Sequence, residues 1–183
     1  LIFPDWSSES KTDRSIEAFK KFGDLLAEVK EELAGDEIDI GWWCAPTLSI
    51  GPGNNLDKDN PHVFQKFVGI DGAVSTRANC PADPYFRSFY AKCLKAVVEK
   101  GRPSVVFFED DYEISNHDVV QFGCFCPSHI VGFNKRVGEN YKREELEAIF
   151  RESGEKSASY RRIWADYMKE CLVELAQELR AAV

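Results

Sequence analysis

Cys124, Cys126 and His129 stand close together in the sequence, in the pattern Cys-x-Cys-x-x-His. Thiolate sulfur and imidazole nitrogen suit tetrahedral zinc, and three such residues leave one ligand to find. Cys80, which lies in an Asn-Cys-Pro segment at the edge of a long polar stretch, is the best candidate for the fourth. The pattern predicts a structural metal site with no open position for catalysis. Free thiols beneath a loop are the alternative, and a redox pair is less favoured because such pairs normally have two residues between them.

Three carboxylates, Glu109, Asp110 and Asp111, directly follow the apolar residues 104–108. A fully apolar strand that ends in acids is typical of a parallel strand that reaches an active-site face. Side chains alternate along a strand, so Glu109 and Asp111 would point one way and Asp110 the other. Burial and neighbouring carboxylates can raise the pKa of a carboxyl group, which suits it to general acid catalysis. A solvated acidic loop or a helix cap is the alternative.

Polar and aromatic residues near these acids could bind a substrate. Asn116 and His117 follow in the same loop and could contact substrate hydroxyl groups, although a single loop histidine is more often a surface residue. Trp42 and Trp43 end the strand predicted over residues 38–44, where one ring would face a cleft and the other the helices. Because ring faces stack on apolar ligand faces, we expect one of them to be a stacking platform, with core filling as the alternative.

Alternating strands and helices would position these groups. Apolar residues recur at helical spacing in several segments. These segments are residues 13–34, 84–101, 127–137, 143–152 and 158–182. Asp83 and Pro84 form a helix start, and Gly35 would supply a left-handed stop for the first helix.

Strands are predicted over residues 38–44 and 104–108, with a further one at residues 1–3. The alternation predicts an α/β fold of parallel strands with right-handed crossovers, in a single domain over residues 1–183. Because three parallel strands make an incomplete sheet, we expect either further strands that the pattern does not reveal or a chain that is part of a larger barrel.

In order along the chain, these pieces resemble the β-galactosidase group of (β/α)8-barrel glycoside hydrolases usually called family 42, over about residues 38–150. The similar motifs are Ile-Gly-Trp-Trp-Cys-Ala-Pro-Thr at residues 40–47, Thr-Arg-Ala-Asn-Cys-Pro at residues 76–81 and Gly-Cys-Phe-Cys-Pro-Ser-His at residues 123–129. The resemblance implies a partial TIM-type barrel of roughly the second to fourth βα units, so that the chain would be about half of a larger barrel.

The resemblance also implies roles for individual residues. Asp111 falls at the position of the family's general acid/base glutamate, and Asp110 falls where the family has asparagine, with Glu109 beside them. Arg77 lies in the segment similar to the family's Arg-Arg-x-x-Cys and would contact substrate. The second catalytic carboxylate would come from outside the chain. The family's zinc cysteines correspond to Cys80, Cys124, Cys126 and, as a replacement, His129.

The net charge of −8 and the lack of a basic patch argue against nucleic acid or an anionic membrane as a partner, and no apolar run is long enough to cross a bilayer. We expect a cytoplasmic protein without an organic cofactor, which binds carbohydrate and pairs with the rest of the barrel or with a second copy.

The first hypothesis for the function is a glycoside hydrolase-like barrel that acts on β-linked sugars. The alternatives are a non-catalytic carbohydrate-binding barrel, and a metal-dependent hydrolase that uses Asp110, Asp111 and His117.

Overall fold

The computed structural model describes residues 15–44, 47–49, 63–109, 112–113, 120 and 123–183. The helices in these ranges are α1 (Ile16–Glu32), α2 (Pro84–Gly101), α3 (Pro127–Val137), α4 (Arg143–Arg151) and α5 (Glu155–Ala181). The strands are β1 (Trp42–Cys44), β2 (Lys66–Val68), β3 (Val74–Asn79) and β4 (Val106–Phe108), and a 3-10 turn lies at Thr47–Ser49. The strand predicted at residues 1–3 lies outside the described residues. No helix in the described ranges is both long and apolar enough to cross a bilayer.

The four strands found in the described ranges form two separate pairs. β1 and β4 are parallel, as predicted for these two segments, with Trp42 opposite Val106 and Cys44 opposite Phe108. β2 and β3 pair antiparallel, within the long polar stretch that precedes Cys80. A closed barrel requires each strand to be bonded on both sides, whereas each strand that the structure describes has one strand partner. The prediction of a partial (β/α)8 barrel is therefore wrong, and the described residues form a small α/β domain.

β4 lies at the surface, so the apolar residues 104–108 are not buried on both faces of a sheet. Val105 and Phe107 are 53% and 55% exposed, while Val106 and Phe108 are half-buried. A strand that is covered on one face buries only every second side chain. A run of apolar residues in the sequence does not show whether a strand is covered on one face or on both faces.

The start of α2 confirms the predicted cap. The Asp83 carboxylate accepts a hydrogen bond from the Tyr85 amide at 2.9 Å, and Pro84 occupies the first helical position, where its missing N–H has no consequence. The same carboxylate accepts a second bond from the Gln65 amide at 2.7 Å. Because Gln65 directly precedes β2, this cap also fixes the hairpin to the helix.

The predicted stop at Gly35 is wrong. α1 is capped at Leu33 with φ −95°, and the left-handed residue nearby is Glu37, with φ 55°. At its other end α1 begins at Ser15, whose hydroxyl accepts a hydrogen bond from the Ala18 amide at 3.2 Å. Serine is a favoured helix cap because its short side chain reaches an otherwise unpaired amide.

α1 and α2 cross where neither helix has a side chain. A Cβ atom added to Gly23 would lie 2.8 Å from Lys100 Cβ and 3.1 Å from the carbonyl oxygen of Ala96. A Cβ atom added to Gly101 would lie 2.8 Å from Leu26 Cβ and 3.1 Å from the carbonyl oxygen of Gly23. The two backbones are therefore close enough that the crossing requires glycine on both helices.

We expect Gly23→Ala to destabilise the domain, because the added methyl group meets backbone and Cβ atoms that cannot rotate away. Overpacking of this kind costs about 1–3 kcal/mol, which outweighs the gain in helix propensity of about 1 kcal/mol. Gly35→Ala is the control, since a Cβ atom there meets nothing within 4 Å. Urea unfolding measures both variants, and a Gly23→Ala variant as stable as Gly35→Ala would contradict the close crossing.

Candidate metal centre

The backbone around β2 brings two distant segments together. The Cys80 amide, just after β3, donates a hydrogen bond to the Gln65 carbonyl at 2.7 Å. The Phe125 amide donates to the Val68 carbonyl at 2.6 Å. Since Phe125 lies between Cys124 and Cys126, these two bonds place all three cysteines along one short strand.

His129 joins them from the first turn of α3. Cys126 is the N-cap residue of this helix, and Pro127 is its first residue. A histidine three positions after the cap lies one turn on, above the residue at the cap. The His129 Nδ1 atom therefore comes within 3.3 Å of Cys126 Sγ and within 3.3 Å of Cys80 Sγ.

The four side chains form a compact cluster. One ligand atom from each of Cys80, Cys124, Cys126 and His129 lies within 4.8 Å of all the others. The Sγ atoms of Cys80 and Cys126 are 3.7 Å apart. The bond lengths of tetrahedral zinc give ligand-to-ligand distances of about 3.8 Å between two sulfurs and about 3.5 Å between sulfur and nitrogen. The predicted grouping is therefore confirmed, and the cluster could bind a metal.

The three thiols differ in how readily they ionise. Hydrogen bonds with Cys124 and Cys126, followed by burial, raise the pKa of Cys80. Burial raises the pKa of Cys124 to about 12. Hydrogen bonds from Cys124 and Cys80, and then from the His129 ring, lower the pKa of Cys126. The protein groups alone thus favour one thiolate, on Cys126, and a divalent cation would allow the other two to ionise beside it.

α5 supports the cluster from behind. The Cys124 amide donates a hydrogen bond to Met168 Sδ at 3.3 Å, and Trp164 Nε1 donates to the Gly123 carbonyl at 3.1 Å. The Trp164 ring also stacks on Phe125, with centroids 3.9 Å apart and planes 10° apart. Each residue from Gly123 to Phe125 is therefore held by a specific contact with β2 or α5.

One nitrogen of the buried histidine has no hydrogen-bond partner. Cys80, Cys124, Cys126 and His129 are all fully buried, at 0% exposure. His129 Nε2 has no hydrogen-bond partner in the described residues. Its ring packs edge-on against Tyr167, at 5.4 Å between centroids. Nδ1 faces the Cys80 and Cys126 sulfurs, so it is the nitrogen available to a metal.

Several residues predicted to act on a substrate fall outside the described part of the chain. These residues are Asp110, Asp111, Asn116 and His117. Glu109 is half-buried, and its amide lies 3.5 Å from the Cys44 carbonyl, which extends the pairing of β1 and β4. Arg77 lies on β3, but its side chain is not described. Their catalytic and substrate-binding roles stay predictions.

The two tryptophans lie on opposite sides of β1. Trp42 is fully buried in the core, with its ring centroid 5.8 Å from that of Phe22 on α1. Trp43 is half-buried. This alternation is what a strand covered by helices on one face requires. Between the two rings, only Trp43 keeps an accessible surface for the stacking role, which stays a prediction.

Comparisons with protein-family models, with curated proteins and with solved structures find no match to this chain. The resemblance to the family 42 β-galactosidase group is therefore wrong. It depended on short motifs around cysteine, tryptophan and acidic residues, and the antiparallel hairpin of β2 and β3 lies where the barrel would need a parallel arrangement.

Sequence reasoning missed two residues that support the cluster. Met168 was not assigned to the buried face of the last helix, and a sulfur that accepts an amide hydrogen bond has no sequence signal. Arg87 donates from Nε to the Pro81 carbonyl, beside Cys80, and its guanidinium pairs with Glu178 at 2.5 Å. Arg87 thereby links the Cys80 segment to α5, a contact that only the tertiary structure shows.

We expect Trp164→Phe to weaken the support of the metal-binding segment. The substitution keeps a ring on Phe125 but leaves the Gly123 carbonyl without its Nε1 donor, which costs about 1–3 kcal/mol in a buried position. Denaturant unfolding would show the loss. Tyr160→Phe is the control, because Tyr160 lies at the half-buried edge of the same aromatic cluster, against Phe133. Equal stability of the two variants would contradict the role of the hydrogen bond.

Proposed function

We propose that this domain binds one zinc ion through Cys80, Cys124, Cys126 and His129, and that the ion has a structural role. The observation that supports this proposal most directly is the spacing of the four ligand atoms, which lie within 4.8 Å of one another with sulfur and nitrogen distances close to those of a tetrahedron. Three thiolates and one imidazole are soft and borderline ligands, which select zinc over magnesium or calcium.

A structural role agrees better with the site than a catalytic role. Catalytic zinc keeps an open position for water or substrate, usually with three protein ligands. Here four protein side chains are available, the number that a closed tetrahedral site needs, and all four are fully buried. A bound zinc ion would neutralise the thiolates and fix the four side chains in place, without contact with a substrate.

The ion would act as a cross-link between distant parts of the chain. Cys80 and Cys126 are 46 positions apart in the sequence, and the segment between them includes α2 and β4. A link of this kind reduces the conformational freedom of the unfolded chain, and metal binding then becomes part of the free energy of folding. Zinc would hold the end of the β2–β3 hairpin against the start of α3.

Cys126→Ser tests the ligand assignment. We expect the purified variant to lose stoichiometric zinc and at least about 2 kcal/mol of stability, the low end for removal of a cross-link. Cys93→Ser is the matched control, because Cys93 is also fully buried but lies on α2, outside the cluster. Elemental analysis and cobalt(II) absorption spectra measure the metal and its thiolate ligands. Zinc retained by Cys126→Ser, or lost equally from Cys93→Ser, would overturn the proposal.

Removal of the metal tests the structural role separately. We expect a zinc chelator to lower the thermal midpoint of the wild-type domain, because the three thiols then return to a buried cluster without a cation. Added zinc should restore the midpoint, whereas magnesium should not, since it prefers oxygen ligands. The Cys126→Ser variant should not respond to the chelator. A wild-type midpoint that is independent of the chelator despite complete zinc loss would contradict the structural role.

A further inference from the structure

A second feature, separate from the four metal ligands, is an open cavity along α4 and α5. Its volume is about 560 Å³, which lies within the range of small-molecule sites in proteins. Apolar side chains of Phe150, Trp164, Met168 and Leu172 line it, and Glu113, Arg151 and Arg161 supply its charges. The combination of an apolar wall and a few charged groups is typical of a site for an amphipathic ligand.

The apolar wall is rigid. Trp164 is fixed by its hydrogen bond to the Gly123 carbonyl and by its stacking on Phe125. Phe150 meets Trp164 edge-on, with centroids 5.7 Å apart and planes 83° apart. Met168 is held by the Cys124 amide. A ligand that packs against these side chains would therefore lose little free energy to their ordering.

The two arginines of the cavity differ in their partners. Arg151 donates from Nε and Nη2 to the Glu147 carboxylate, at 3.1 and 2.9 Å, so its charge is paired. Arg161 donates from Nη1 to the carbonyls of Phe150 and Glu152, at 2.8 and 3.2 Å. No carboxylate of the described residues lies within ion-pair distance of Arg161. Its guanidinium is thus fixed by two carbonyls and keeps a positive charge and further donors for a ligand.

We propose that this cavity binds a small amphipathic carboxylate, with its apolar body against Trp164, Met168 and Leu172 and its carboxylate on Arg161. One edge of an arginine guanidinium presents two parallel N–H groups, which match the two oxygens of a carboxylate. The chain as a whole carries a net charge of −8, whereas Arg161 places at this cavity a positive charge that no carboxylate of the described residues pairs. This charge favours an anionic group on the ligand, and the apolar wall favours an apolar body beside it.

Decanoate is the probe, and decanol, which has the same chain without the charge, is its matched control. In isothermal titration calorimetry on the zinc-loaded domain, decanoate should bind at least about 10-fold more tightly than decanol, the effect of a hydrogen bond to a charged group. Arg161→Gln should remove this preference by weakening decanoate binding about 10-fold while decanol binding stays the same. Arg162→Gln is the control variant, because Arg162 is exposed and lies about 100° further around α5.

Ala165→Phe tests the cavity itself. Ala165 is an exposed residue of the cavity lining, so a phenylalanine ring at this position would fill the cavity from the solvent side. We expect this variant to lose binding of both probes, with its zinc content and unfolding midpoint retained. Equal affinity of the wild type for decanoate and decanol, equal effects of Arg161→Gln and Arg162→Gln, or binding that survives Ala165→Phe would each overturn the proposal. Zinc content is measured in every variant, so failure of the ligand site is distinguished from failure of the metal site.

Discussion

Three thiols and one imidazole lie buried in mutual contact, and this arrangement constrains the surrounding structure. Thiolates in contact repel one another and lose their hydration, so such a cluster is stable only when the thiols stay protonated or share a cation. The protein fixes the cluster through backbone hydrogen bonds to Gln65 and Val68 and through α5. The hairpin, the start of α3 and the middle of α5 all take their positions from it.

The aromatic side chains extend this arrangement outward. Phe125 lies between two ligands and stacks on Trp164, which in turn packs against Phe133 and Phe150. One set of rings thus joins the metal-binding segment to α3, α4 and α5. The cavity along α4 and α5 uses the outer side of the same rings, so its shape depends on the packing that supports the cluster.

The sequence predicted the parts of the structure that depend on local chemistry. Helical spacing located the five helices of the described residues, and Asp83 with Pro84 located the start of α2. The grouping of the three cysteines with the histidine was predicted from their side-chain chemistry and their positions in loops.

The hairpin was missed because β2 and β3 are short and contain polar residues such as Lys66, Ser75 and Thr76, without a clear alternation of polar and apolar residues. The barrel was wrong because strand and helix order does not reveal which strands pair. Arg161 was missed because its importance depends on the carbonyls of Phe150 and Glu152, a tertiary contact.

The spacing of the four residues along the chain also sets the entropic cost of bringing them together. Cys124, Cys126 and His129 are neighbours in the sequence, so the chain can bring them together at little entropic cost once the first turn of α3 forms. Cys80 must close a loop of 46 positions to reach Cys126, which is a larger loss of chain entropy. During synthesis Cys80 leaves the ribosome well before its partners, so it must wait for them. Of the four residues in the cluster, Cys80 therefore costs the most chain entropy to bring into contact, and it is the one that holds the end of the hairpin against the start of α3.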